Sequence, residues 1–244
     1  MHEERLDDIA EQPTFIPDIY NYCDRWCDRC PFTSRCMTFV LSRNQFGAPE
    51  AVDTRNQYFW QKLSEAFHVT RELFEQTLKL YGLQLTEDDL HAAKQQELEK
   101  HARLESHPCA QTAKQYLAFA ERWFERMISD ENVEIKEIFD ILHWYKGQIY
   151  VKIMRALSGQ YDEHLLCIAD DERPRDFDGS AKVALIGIDR SIAAWIKLRD
   201  VFPEQKDEMI DILIHLDRLR KAIEQTFPNA RAFIRPGFDE IPGA

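Results

Sequence analysis

The sequence predicts an all-α fold: roughly six helices in a mainly antiparallel bundle, preceded by an irregular N-terminal four-cysteine segment that binds metal. Three observations lead there. Apolar residues recur with a helical period through most of the chain beyond residue 54. Only 8 Gly and 10 Pro in 244 residues leave little room for the turns of an all-β protein. Cys23, Cys27, Cys30 and Cys36 crowd into one short stretch that no helical period explains. The expected division is a cysteine segment and linker over 1–53 and a helical body with a C-terminal tail over 54–244.

Residues 1–19 read as an irregular lead-in, broken by Pro13 and Pro17. Residues 37–53 read as a linker through Gly47 and Pro49. The first predicted helix runs from about Thr54 to Tyr81, on Phe59, Leu63, Ala66, Phe67, Thr70, Leu73, Phe74, Thr77 and Tyr81, with Gly82 as its stop. It contains Glu65-x-x-His68, the spacing of di-iron bundles. Both residues fall roughly 150° from the centre of the apolar stripe, so they belong to a solvated face. The second helix, about Asp88 to Glu105, opens on the capping pattern Thr86-x-x-Asp89. Its seam of Leu90, Ala93, Leu98 and Leu104 is thin, which places it at the periphery, and His91, His101 and His107 read as surface residues.

Pro108 starts the third helix, to about Ile128, with Tyr116, Leu117, Ala120, Trp123, Phe124 and Met127 as its buried face. The fourth, about Val133 to Ser158, carries Ile135, Ile138, Leu142, Tyr145, Ile149 and Ile153 on one stripe. Trp144, Val151 and Met154 lie on the other side, the pattern of a central helix. Residues 159–176 read as a long acidic connection in which Leu165, Leu166, Cys167 and Ile168 tuck down. The fifth helix, Gly179 to about Phe202, is also apolar round most of its girth, and its small residues admit a close neighbour. Pro203 opens the sixth, which reaches about Phe227 through Ile212, Leu216, Leu219 and Ile223. The tail Phe233–Phe238 is aromatic enough to pack back on the body.

The cysteines have the spacing C-x3-C-x2-C-x5-C. The acidic N-terminus has no apolar signal-peptide core, so a reducing cytoplasmic setting is expected and disulfides are disfavoured. Structural zinc sites usually draw ligands from two knuckles a dozen or more residues apart. A continuous run suits a cubane better, and iron–sulfur runs can end in Cys-Pro, as Cys30-Pro31 does. A [4Fe-4S] cluster is therefore the expected cofactor, with zinc as the alternative. Arg25, Arg29 and Arg35 would offset its charge and Tyr20, Tyr22, Trp26 and Phe32 would screen it, unless the aromatics simply anchor the segment. Cys23, Cys27 and Cys30 share the C-x3-C-x2-C spacing of radical-SAM enzymes. The chain lacks the alternating strand–helix pattern of a barrel, and its fourth cysteine fills the iron position those enzymes leave open. No family follows from three residues. Cys109 and Cys167 stand alone and read as buried small hydrophobes.

A formal charge of −12 argues against a duplex nucleic-acid face, which needs clustered Lys and Arg. No apolar run reaches membrane-spanning length. The two inner helices carry a second polar set: Asp140, His143, Lys152 and Arg155 on one, Lys182, Asp189 and Arg190 on the other. Its first reading is a buried ion-pair network, most simply Asp189 with Lys152, Arg155 or Arg190. Its second is a polar pocket beside the cysteine centre, with His143, Asp140, Lys152, Asp189 and Arg190 as catalytic candidates and His143 as proton donor or ligand. The function expected from all this is a metal-binding helical protein that transfers or senses electrons with a protein redox partner. The alternative is an interaction module stapled by zinc.

Overall fold

The computed structural model describes residues 15–47, 54–127, 133–166 and 175–239. Among these residues there is no strand, and none of the helices is long and apolar enough to cross a membrane. The described α-helices are α1 (Met37–Phe46), α2 (Gln57–Leu80), α3 (Glu87–Glu105), α4 (Pro108–Arg126), α5 (Val133–Leu166), α6 (Asp176–Val201) and α7 (Lys206–Thr226). The chain divides into two compact units, one of Met1–Ile16 with Cys27–Lys100, the other of Pro17–Trp26 with His101–Ala244. The expected lead-in up to residue 14 lies outside the described residues, as do Cys167 and Ile168.

In the first unit the helix ends follow their caps. Asn56 Oδ1 accepts the Tyr58 amide at 2.9 Å and opens α2. At the other end Gly82 adopts φ 63°. Leu83 N donates to Leu78 O at 2.9 Å and Gly82 N to Lys79 O at 3.2 Å, a Schellman closure that needs the left-handed residue glycine supplies. Thr86 and Asp89 then form a reciprocal box: the Thr86 amide donates to Asp89 Oδ2 at 2.9 Å and the Asp89 amide to Thr86 Oγ1 at 3.2 Å. α3 is exposed along nearly all of its length, as its thin seam implies. Residues 37–46, expected as linker, are helical instead. Met37, Phe39, Val40 and Leu41 supply apolar helix formers, but the run is short and has no capping side chain, so periodicity does not reveal it.

The second unit holds the main core. Ile135, Ile138, Leu142, Tyr145, Ile149 and Ile153 of α5 are all buried, as their period requires. α5 packs on α6 and α4, and α7 packs on α6 and α4. Trp123 and Trp195 meet edge to face at 5.0 Å, and the Trp195 indole donates to the buried Tyr116 hydroxyl at 3.2 Å. Each such large side chain, fully removed from water, contributes on the order of 2 kcal/mol. Gly187 lets α6 approach α5 closely: a Cβ there would meet Tyr145 Cδ1 at 2.9 Å and Ile149 Cγ1 at 3.2 Å. α4 begins at Pro108, capped by His107, whose Nδ1 accepts the Cys109 amide at 3.2 Å. His107 is thus half-buried and structural rather than a plain surface residue, and burial lowers its pKa. Cys109 is 1% exposed, a buried small hydrophobe as expected.

α5 runs two turns beyond its predicted end, so part of the expected acidic connection is helix. Gly159 does not stop it, because the missing side chain is the space against which Phe177 packs, 3.2 Å from where a Cβ would be. Arg103 lies over the Tyr161 ring at 5.4 Å and covers the extension.

The tail folds back, as its aromatics imply. Phe233 is buried, and Lys182 donates to its carbonyl and pairs with Asp239 at 2.8 Å. Arg235 joins Asp239 through two nitrogens. Desolvation pushes the Asp239 carboxyl up, but the hydrogen bonds from Arg235 and Lys182 outweigh it and hold it well below the usual carboxylate range. A carboxyl depressed in the folded state stabilises above its unfolded pKa of about 3.9, and that contribution is lost as the pH falls further. Asp239→Asn is expected to cost about 1 kcal/mol at neutral pH, allowing for solvent screening. Denaturant melts at neutral and acidic pH check this: the gap to wild type should close below about pH 4.

Candidate functional site

The first part of the cysteine segment docks on the helices of the second unit, to which Pro17–Trp26 belong. Ile19 is buried and starts a 3-10 turn, Ile19–Asn21. Tyr22 packs against Phe233 with ring centroids 4.7 Å apart. The bare Cα of Gly179 makes room for it, since a Cβ there would overlap the Tyr22 ring. Burial, with the Asp176 charge beside it, pushes the Tyr22 hydroxyl up to about 12.

Asp24 is the clamp. One carboxylate oxygen accepts the Tyr145 hydroxyl and the Arg190 guanidinium at 3.1 Å, and the other accepts the Trp26 amide at 3.2 Å. Its carbonyl accepts the Trp144 indole N–H at 2.9 Å. Trp26 stacks on the Trp144 ring at 5.2 Å and 17°. Between these two residues Arg25 takes φ 60°, a left-handed conformation that costs about 1–2 kcal/mol for a residue with a Cβ. That turn lets Asp24 and Trp26 reach the helices from one short stretch.

Cys23 sits inside this docked stretch, with its Sγ 3.5 Å from the Tyr20 carbonyl. Lys152 of α5 is buried. Burial pulls its ammonium down to about 8, opposed by the Cys23 sulfur charge and assisted by Arg155 and Arg25. A buried cation therefore stands beside the first cysteine. Arg155 fixes the same stretch by donating to Asn21 O at 2.7 Å and to Asp176 at 3.1 Å.

The remaining three cysteines belong to the first unit: Cys27 opens the 3-10 turn Cys27–Arg29, Cys30 follows it, and Cys36 closes the turn Thr33–Arg35. Cys30 N donates to Cys27 O at 3.1 Å. Cys30 Sγ in turn accepts the Phe32 amide at 3.4 Å, the kind of bond that favours a sulfur bearing negative charge. Cys36 N-caps α1, its carbonyl accepting Val40 N at 3.1 Å. Ile16 N donates to Arg35 O at 3.0 Å and holds the incoming chain. All four cysteines are half-buried, and none is in a disulfide.

Thiols are donors of the kind a soft metal centre takes, and the four cysteines are not in disulfides. Among the described residues no three His, Cys, Asp or Glu side chains are gathered as ligands of one ion. The fit is therefore one of donor chemistry and chain spacing.

The second polar set separates into several partnerships. Asp189 pairs with Arg231 at 2.6 Å and Arg220 at 3.6 Å, not with Lys152, Arg155 or Arg190, and its side chain is 38% exposed. Its place on the rim of α6 explains the correction, because the tail brings Arg231 to it. Arg190 is committed to Asp24 and Tyr145. Lys182 serves the tail. His143 is exposed and stacks on Phe124 at 3.9 Å; desolvation and the Lys146 charge lower its pKa, against Asp140. Glu65 and His68 are solvated, as their helical angle implies, Glu65 paired with Lys62 at 2.7 Å and His68 Nε2 lying 3.3 Å from Glu72.

Sequence reasoning passed over Asp24 and Tyr145 as partners. The signal was present: a buried tyrosine hydroxyl needs an acceptor, and Asp24 is the carboxylate within the cysteine run. Comparison with protein-family models, curated proteins and solved structures gives no match.

Two substitutions test this geometry. In a helix interior Gly→Ala normally adds about 1 kcal/mol of stability; Gly179→Ala is expected to lower the melting temperature instead, because the new methyl displaces Tyr22. A rise would show that Tyr22 is not seated there. Asp189→Ala should cost no more than about 1 kcal/mol, the scale of a solvent-exposed pair, and a larger loss in a denaturant melt would mark Asp189 as a buried anchor.

Proposed function

We propose that Cys23, Cys27, Cys30 and Cys36 hold a [4Fe-4S] cluster and that the protein transfers or senses electrons with a protein partner. The observation that carries this reading is the run of four half-buried cysteines, none in a disulfide, at a continuous spacing. Bound there, such a cluster supplies one-electron chemistry, its potential set by nearby charge, hydrogen bonds to sulfur and solvent exposure. This chain offers each of those levers. Lys152 and Arg25 place positive charge near Cys23, Phe32 donates its amide to Cys30, and the stacked Trp26–Trp144 pair excludes water beside the segment.

A structural zinc is the second reading. Cys27-x-x-Cys30 on one tight turn has the ligand spacing of a zinc knuckle. The helical framework supports either reading, and the short connections between α4, α5, α6 and α7 favour a mainly antiparallel bundle.

Anaerobically purified protein should be brown, should bleach with dithionite, and should contain about four iron and four sulfide per chain. Cys27→Ser should remove most of that metal while the helical circular dichroism persists. Colourless protein with stoichiometric zinc selects the second reading, and unchanged metal in Cys27→Ser overturns the ligand assignment.

A further inference from the structure

α2 is the most amphipathic of the long helices outside the main core, yet none of its residues is buried. Trp60, Phe67, Leu73, Phe74, Leu80 and Tyr81 are each more than half exposed. Trp60, Leu63, Phe67, Thr70, Phe74, Thr77 and Tyr81 step along the helix by three and four residues alternately, the seam of a coiled coil. Ala66, Leu73 and Leu80 flank that seam on one side, so a stripe three positions wide carries no charge through the length of the helix.

The polar atoms of Thr70, Thr77 and Trp60 on the stripe are bonded to the chain's own carbonyls. Thr70 Oγ1 donates to Ala66 O at 2.9 Å and Thr77 Oγ1 to Leu73 O at 2.8 Å, so both threonines present their methyl groups. The Trp60 indole donates to Thr54 O at 2.8 Å. A soluble surface gains nothing from this arrangement, whereas a packed interface does. α3 does not supply the cover: its own Leu90 and Leu98 are more than half exposed, and its seam is too thin to match.

We propose that this face pairs with the same face of a second copy of the chain. The area fits. With roughly 150–250 Å² per aromatic side chain, the exposed residues offer on the order of 800 Å² per copy, and a stable interface needs about 1,600 Å² in total. The shape fits an antiparallel pair as well. A two-fold axis near Phe67–Thr70 sets Phe67 against the other copy's Thr70, Trp60 against Thr77 and Phe74 against Leu63. Every large ring then meets a smaller side chain, and a parallel pair would stack ring on ring and threonine on threonine. The inference is independent of what the cysteines bind.

Sedimentation equilibrium of the full chain tests it. The wild type is expected to be dimeric at tens of micromolar, an affinity well within reach of an interface this size. Phe67→Glu with Phe74→Glu, both on exposed positions, should give a monomer with unchanged helical circular dichroism. Thr70→Trp keeps the face apolar but fills the space opposite Phe67, and should weaken the dimer at least tenfold. A wild type that stays monomeric at about 100 μM, a dimer indifferent to the two glutamates, or a dimer tightened by Thr70→Trp would each overturn the proposal.

Discussion

The bond set at Asp24 fixes the stretch of chain around Cys23. A single carboxylate takes the hydroxyl of Tyr145 and the guanidinium of Arg190, while its own carbonyl is held by Trp144. Tyr145 is buried to 1% exposure, so its hydroxyl has no water to fall back on. Burial and the Asp24 carboxylate together push that hydroxyl well above its usual range, which keeps it a donor. The two central helices thus offer three polar groups to the same residue, Trp144 and Tyr145 from α5 and Arg190 from α6, and the residue beside Cys23 is fixed by the core itself. The left-handed turn at Arg25 persists because Asp24 on one side and Trp26 on the other are both anchored.

For the proposed metal role, Asp24 ties the chain next to Cys23 to the closely packed pair α5 and α6. Lys152 shows the other side of the design. An ammonium on a buried position is costly unless negative charge stands nearby, and the Cys23 sulfur is the group whose charge most supports it.

Much of the helical framework was legible because single-residue physics decides it. The α5 stripe, the Thr86–Asp89 box, the Gly82 stop and Pro108 each act within a few residues of chain. The misses needed information from elsewhere in the fold. The turns of α5 beyond Ser158 are covered by Phe177 beside Gly159 and by Arg103 over Tyr161. Asp189 reads as a core anion until the tail delivers Arg231. The cysteine spacing suggests a ligand set, but Asp24, which moors the stretch around Cys23, carries no motif and emerges only when Tyr145 is seen to need an acceptor. Helical period gives the apolar face of α2 without saying what covers it, because a stripe meant for another chain looks the same as one meant for a core.

The central claim is that four sulfurs of the segment between Cys23 and Cys36 bind an inorganic centre. X-ray absorption at the metal edge, on protein kept reduced and anaerobic throughout purification, addresses it most directly. The account predicts a metal surrounded by sulfur alone at about 2.3 Å, with metal–metal scattering if the centre is a cluster. An environment of oxygen and nitrogen, or protein that carries no metal when prepared in this way, would contradict it.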